Sequence, residues 1–292
     1  MRSKLAAALT AATVLATPAA AEGQTVSVRQ GMPIVVGGAQ CTLAFNDAAG
    51  GYTAAHCGRT GERVAVRTGD GVREVGTLYP SREYTTASTG NDWARIEWDP
   101  GVRVWPNTRS GDSVVALEEL RAGDSICFYS PAANETRCSP FAGQLGGNLY
   151  WGDADARPGD SGAPVWAEGR GFVGILSGHS IITSANVDYR LLRASAVGDR
   201  RSPSAQEEID LLSRHYRTGP VGEYEVVTPG ARAAGAAAGI ADRIEARAMG
   251  RLPGSSNWEA GTLGVIAALV IGTLVAATPA LVQIIDIVRG WR

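Results

Sequence analysis

Three histidines occur among the 292 residues, and only one sits where chemistry is easy to build. His56 lies in the run Gly50-Gly51-Tyr52-Thr53-Ala54-Ala55-His56-Cys57-Gly58. A His directly before a Cys reads either as a metal ligand or as an imidazole held by a disulfide anchored beside it. No C-x-x-C or H-x-x-x-H spacing accompanies it, which disfavours metal. Ser161 lies in Pro158-Gly159-Asp160-Ser161-Gly162-Ala163-Pro164. Small residues on both sides suit a nucleophile: Gly159 lets the backbone turn its N–H toward an oxyanion, and Gly162 leaves room for substrate. Taken alone, Gly-Asp-Ser-Gly is also a plain turn. Asp92, in Gly90-Asn91-Asp92-Trp93-Ala94, opens an apolar run where a carboxylate could be buried against an imidazole. A nucleophile, a base and a carboxylate that orients the base form the set needed for acyl transfer.

A scaffold of short strands would have to hold these groups. Apolar runs punctuated by Gly, Asn and Asp recur at Ile34–Val36, Cys41–Phe45, Tyr52–Ala55, Arg63–Arg67, Trp93–Trp98, Ser113–Leu117, Ser125–Tyr129 and Gly171–Leu176. That pattern predicts an all-β sandwich or barrel. At 205–217 the period changes to helical, with Ile209, Leu212 and Tyr216 on one face and Leu211 at its margin. Ser204 is placed to cap this helix, and Glu207 and Glu208 suit its first turn. The hydrophobic fraction of 45% suffices for a core, and a net charge of −2 gives no nucleic-acid footprint.

Both ends of the chain read as export and anchoring devices. Arg2 and Lys4, the apolar stretch Leu5–Ala16 and the A-x-A pattern ending at Ala21 form a secretory signal peptide over 1–21. Residues 22–33 are a short polar or pro segment. Residues 218–257 are rich in Ala, Gly and Arg and read as a tether. From 258 to 288 the chain is apolar enough for one transmembrane helix, with Trp258 and Trp291 near its ends. Residues 289–292, with Arg289 and Arg292, would then be a cytoplasmic tail. This orientation puts the body of the protein outside the cell, with the lipid bilayer as a partner. Leu252-Pro253-Gly254-Ser255-Ser256 loosely matches a sortase signal but lacks the Thr-Gly cut site, so a retained helix is the better reading.

Thr53-Ala54-Ala55-His56-Cys57 and Gly159-Asp160-Ser161-Gly162 resemble the two signatures of chymotrypsin-like serine proteases. Asn91-Asp92-Trp93-Ala94 is similar to the Asp motif of their short bacterial, streptogrisin and alpha-lytic, branch. The resemblance covers about residues 34–217. It implies two six-stranded antiparallel β-barrels with a C-terminal helix, and an active site in the cleft between the barrels. It also implies a catalytic triad of His56, Asp92 and Ser161, an oxyanion hole from the N–H groups of Gly159 and Ser161, and no cofactor or metal. Ser177-Gly178-His179 would pair with the substrate backbone as an added strand, and Ser177 resembles the family Ser that touches the catalytic Asp. The pairings Cys41–Cys57 and Cys127–Cys138 follow from the same resemblance. Each would contribute roughly 3 kcal/mol by closing a short loop.

Three departures accompany it. No large folding pro-domain has room before Ile34, and Ile34-Val35-Val36-Gly37-Gly38 faintly resembles the activated N-terminus of trypsins. Phe128 stands where the bacterial branch keeps an Arg for Asp160, leaving Arg137, Arg157 or a new N-terminus as partners. Asp153 or Asp155 falls where trypsins hold basic P1 side chains, yet either could be a solvated loop charge. The expected function is a serine endopeptidase acting on extracellular or envelope proteins. The alternative is a catalytically silent, membrane-tethered binding module on the same fold.

Overall fold

A computed structural model describes residues 25–152 and 155–228 of the chain. The signal peptide, Asp153, most of the tether and the 258–288 span lie outside the described residues. Among the described residues, no helix is long and apolar enough to cross a membrane.

The first half opens with a short strand, β1 (Ser27–Val28), and continues through β2 (Pro33–Val36), β3 (Ala39–Thr42), β4 (Phe45–Asp47), β5 (Gly50–Thr53), β6 (Arg63–Thr68), β7 (Gly71–Pro80) and β8 (Ala94–Trp98). The strand order is β3-β2-β6-β7-β8-β5-β4. β3 and β4 are two halves of one strand bent at Leu43-Ala44. Leu43 N–H still bonds Met32 O (2.9 Å) on the β2 side, and Ala44 N–H bonds Tyr52 O (2.7 Å) in β5. The sheet therefore closes on itself as a six-stranded barrel filled by Ile34, Val36, Val64, Val66, Leu78 and Ile96. β1 lies outside it, parallel to β9 (Arg103–Val104). Val28 and Gln30 are buried, and Gln30 Oε1 accepts from Arg109 N–H (2.9 Å) and Ser110 N–H (3.1 Å). The described part of the expected N-terminal segment is thus built into the body.

The second half contains β10 (Ser125–Ser130), β11 (Glu135–Leu145), β12 (Asn148–Trp151), β13 (Pro164–Ala167), β14 (Gly171–Ser184) and β15 (Val187–Ser195). Their order is β13-β10-β11-β12-β15-β14, and β14 also pairs with β13, which closes a second six-stranded barrel. Its core holds Ile126, Phe128, Leu149, Trp151, Val165, Leu176 and Leu192. β14 and β15 form a long hairpin turned by Ala185 and Asn186, both at positive φ (50° and 63°), as a two-residue turn between twisted strands requires. Phe45 of the first barrel stacks on Phe172 of the second, with ring centroids 4.4 Å apart. Residues 113–117, expected as a strand, give only a bridge from Val114 to Phe172 and a 3₁₀ turn at Leu117–Glu119.

Helix α1 (Ala205–Tyr216) follows, capped by Ser204 in a capping box with Glu207. Ile209, Leu211 and Leu212 pack on Tyr150, Ile182 and Leu191. Two features depart from expectation. Glu208 is not a surface charge but is 0% exposed. It accepts from Thr89 Oγ1, Tyr150 Oη (2.8 Å), Ser180 Oγ and Tyr224 Oη (2.6 Å). Buried Arg193 extends the network through Ser180 Oγ (3.1 Å). The tether, moreover, does not begin at 218: Glu223–Val227 forms β16, a seventh strand added to β14.

A buried carboxylate stripped of its donors, or donors stripped of their carboxylate, is strongly destabilising. Glu208→Ala is expected to lower the unfolding free energy by about 3–5 kcal/mol, with Glu208→Gln losing less. Urea unfolding measures both, and a loss below about 1 kcal/mol for Glu208→Ala would contradict the network.

Candidate active site

His56 rides on a 3₁₀ turn, Ala55–Cys57, that directly follows β5. The Cys41–Cys57 disulfide ties this turn to β3, so neither sulfur is a thiolate ligand. The second disulfide joins Cys127 to Cys138 at facing positions of β10 and β11.

Asp92 stands two residues before β8, on a backbone set by its neighbour. Asn91 is at φ 56° and exchanges hydrogen bonds with Arg200: its Nδ2 donates to Arg200 O (2.7 Å), and Arg200 N–H donates to its Oδ1 (2.8 Å). Asn tolerates this left-handed conformation better than most residues. Asp92 N–H donates to Ser195 Oγ (3.2 Å), and Ser195 Oγ in turn donates to Asn148 Oδ1 (2.9 Å). Ser177 Oγ reaches this chain at Ser195 (3.3 Å). The expected direct touch of Ser177 on Asp92 is therefore replaced by contact through Ser195.

The Asp92 carboxylate faces His56. Oδ1 accepts the His56 backbone N–H (3.0 Å), and Oδ2 lies 2.7 Å from Nδ1. Burial pushes the Asp92 carboxyl up, but the charge of His56, its ring and backbone hydrogen bonds and the charge of Arg193 outweigh burial and hold it below the ordinary aspartate value. An ionised carboxylate can only accept, so Nδ1 carries the proton and a neutral ring keeps its lone pair on Nε2. Nε2 is buried and accepts no hydrogen bond among the described residues.

The Ser161 loop is tied to the strand that leads into His56 by two threonines that sequence reasoning passed over. Thr42 N–H donates to Ser161 O (2.8 Å), and Thr42 Oγ1 donates to Gly159 O (2.8 Å). Thr42 O in turn accepts from Thr53 Oγ1 (2.8 Å) in the histidine strand. Gly162 makes this approach possible, since a Cβ there would collide with Thr53 Oγ1 and sit 2.6 Å from Thr42 O. Gly159 is at φ 100°, a conformation suited to glycine. Gly159 and Ser161 flank Asp160, whose own N–H turns back to Arg157 O (2.9 Å).

Asp160 is 0% exposed and forms no ion pair among the described residues, although the charge of Arg137 acts on it from further away. Ser130 Oγ lies 2.8 and 2.9 Å from its two oxygens, Arg157 gives its backbone N–H (2.8 Å), and Ala132 N–H lies at 3.3 Å. Ile34 lies buried within β2, paired with Cys41. Phe128 packs edge-on to Trp151 in the barrel core. Asp155 is a loop carboxylate with a 76% exposed side chain, 3.8 Å from Arg190. Asp153 lies outside the described residues. Gly178 and the buried His179 lie on β14, the latter opposite Val227.

The two antiparallel barrels and the single short α-helix of the described residues fit a trypsin-like fold. It is similar to a solved chymotrypsin of Cellulomonas bogoriensis, at 24% identity over 59% of this chain and 92% of that one, with a TM-score of 0.42. It is also similar to a kallikrein-related peptidase 10 complex with Zn2+, at 15% identity over 65% of this chain and 98% of that one, with a TM-score of 0.39. No protein-family model and no curated protein matches the chain.

Burial raises the Asp160 carboxyl above the ordinary aspartate value, and its hydrogen bonds from Arg157, Ser130 and Ala132, with the charge of Arg137, only partly offset this. A folded value above the unfolded one means that Asp160 contributes stability at low pH and loses it as pH rises through the raised value. Ser130→Ala removes a donor that favours the ionised form and so lifts the carboxyl further. The expected loss of unfolding free energy is about 1–3 kcal/mol at neutral pH and less below about pH 4. Denaturant unfolding at both pH values checks this, and an equal loss at each would contradict it.

Proposed function

We propose that the chain is a serine endopeptidase that hydrolyses peptide bonds of extracellular or envelope proteins through an acyl-enzyme. The observation that carries this reading is the buried His56–Asp92 pair, with its Nε2 lone pair on the same framework of Thr42 and Thr53 that holds Ser161. In this mechanism Ser161 Oγ attacks the scissile carbonyl and its proton passes to His56 Nε2. The tetrahedral oxyanion is met by the N–H groups of Gly159 and Ser161. The C–N bond then breaks as the leaving amine takes the proton from His56. Water repeats the sequence on the ester, returning the acid product and free Ser161. Asp92 keeps the imidazole in the right tautomer and stabilises the imidazolium.

A basic P1 preference would rest on Asp153 or Asp155. Asp155 is exposed and shares its charge with Arg190, which argues against it as the floor of a closed pocket. Export by residues 1–21 and anchoring by 258–288 rest on composition, with the two disulfides fitting an oxidising compartment. The second reading, a tethered binding module without turnover, draws on His56 Nε2 accepting no hydrogen bond among the described residues.

A fluorophosphonate probe separates the two. The full chain is expected to label on Ser161, and Ser161→Ala is expected to remain unlabelled. Asp92→Asn should lower kcat on a peptide substrate by about 10⁴-fold, because the ring then settles in the wrong tautomer. Labelling no greater than that of the Ser161→Ala control would favour the binding module.

A further inference from the structure

β14 is longer than the strand beside it. β13 covers it only from Gly171 to Ile175, while β15 lines the opposite side as far as Ser184. Leu176 is still bonded by Ala163 and Gly162, but beyond it the β13 side of β14 would be a bare ladder of donors and acceptors, which proteins normally cover. β16 covers it. It runs antiparallel, from Glu223 opposite Thr183 to Val227 opposite His179. The approach is close, since a Cβ on Gly178 would collide with the Val227 carbonyl oxygen and lie 3.0 Å from Thr228 Cα. In an antiparallel pair the N–H and C=O of one residue face the same neighbour, so Val227 turns both toward β14.

Three observations distinguish this strand from a linker lying on the surface. It is anchored: Tyr224 is buried, and its Oη donates to Glu208 (2.6 Å). It has a direction: toward Thr228 it advances along β14 toward Leu176, whose carbonyl accepts the N–H of Gly162 (2.9 Å), next to Ser161. The acyl side of a peptide must approach a serine nucleophile in that sense, with its C-terminal end at the hydroxyl. The catalytic atoms are also covered: Ser161 is 0% exposed and His56 Nε2 is excluded from solvent.

We infer that residues 223–228 are a peptide ligand bound in cis to the edge of β14 at Gly178–His179, so that this strand occupies the acyl-side peptide site and restrains the enzyme. The inhibitory consequence rests on the peptidase reading; the binding site rests on the strand pairing alone. A strand tied through the short connection 217–222 competes at an effective concentration of millimolar order, so micromolar peptides are excluded until it leaves.

The test replaces Glu225 and Val227 by proline in the full chain, which removes two N–H donors on the β14 side and keeps Tyr224. In a Ser161→Ala background, binding of a fluorescein-labelled peptide with the sequence of residues 221–228 is followed by anisotropy. The double-proline protein is expected to bind it at least about tenfold more tightly than its parent. With Ser161 present, kcat/KM for four-residue peptide substrates should rise by at least about tenfold. Tyr224→Phe, which loosens the anchor alone, should raise kcat/KM at least about twofold. Amide exchange at His179 and Ile181 reports whether the strand has left. Equal peptide binding by parent and variant, with those amides deprotected, overturns the inference. Turnover that is unchanged while the strand has left also overturns it and leaves the peptidase reading standing. Gained binding without turnover in any variant supports the inference and removes the peptidase reading.

Discussion

A carboxylate closed off from water must be met by enough hydrogen bonds and charge to replace its hydration, and Asp92 meets this demand through His56. Both of its oxygens are committed to that residue, one to the ring and one to the backbone. The surrounding fold can be traced outward from this pair. The Cys41–Cys57 bond fixes the turn that carries the ring. Asn91 and Arg200 fix the backbone that carries the carboxylate, and Ser195 and Asn148 hold its N–H. Because the carboxylate is bound to the ring on the Nδ1 side, the lone pair is left on the side where a nucleophile would be needed.

Two further acids lie in the interior, and each is stabilised differently. Asp160 receives a serine hydroxyl and backbone N–H groups but no ion pair among the described residues, and burial raises its carboxyl despite these bonds and the charge of Arg137. It lies between the two residues proposed to form the oxyanion hole, so its hydrogen bonds shape that loop. Glu208 collects four hydroxyls, three from separate parts of the second half of the fold and one from the loop at Thr89. One of those hydroxyls belongs to Tyr224 of β16. The stability of the second barrel and the docking of the strand beside the site therefore share one buried group.

Much of this was legible in local patterns. The motifs around His56 and Ser161 depend on adjacent residue types, the strands at 63–68 and 125–130 bury consecutive apolar side chains, and that at 94–98 buries alternate ones. β7, β11 and β15 were not legible, because their outward faces carry charged and polar residues and their apolar positions are few. β16 reads Glu-Tyr-Glu-Val-Val, five residues ahead of an Ala- and Gly-rich stretch, and only the vacant edge of β14 gives it a reason to be a strand. The burial of Glu208 and the choice of Ser130 for Asp160 depend on residues 16–119 and 30 positions away in sequence. Nothing in the neighbouring sequence signals such partners. Thr42 and Thr53 are missed for the same reason: a buried threonine and a surface threonine are written alike.

The proposed peptidase activity turns on one chemical event, transfer of an acyl group to Ser161 with His56 as base. The most direct measurement is mass spectrometry of the full chain quenched in acid during turnover of a small activated ester, followed by peptide mapping. One acyl group per chain is expected on the peptide containing Ser161, and no such adduct in His56→Ala. Acylation at another residue, or an equal adduct without His56, would contradict it.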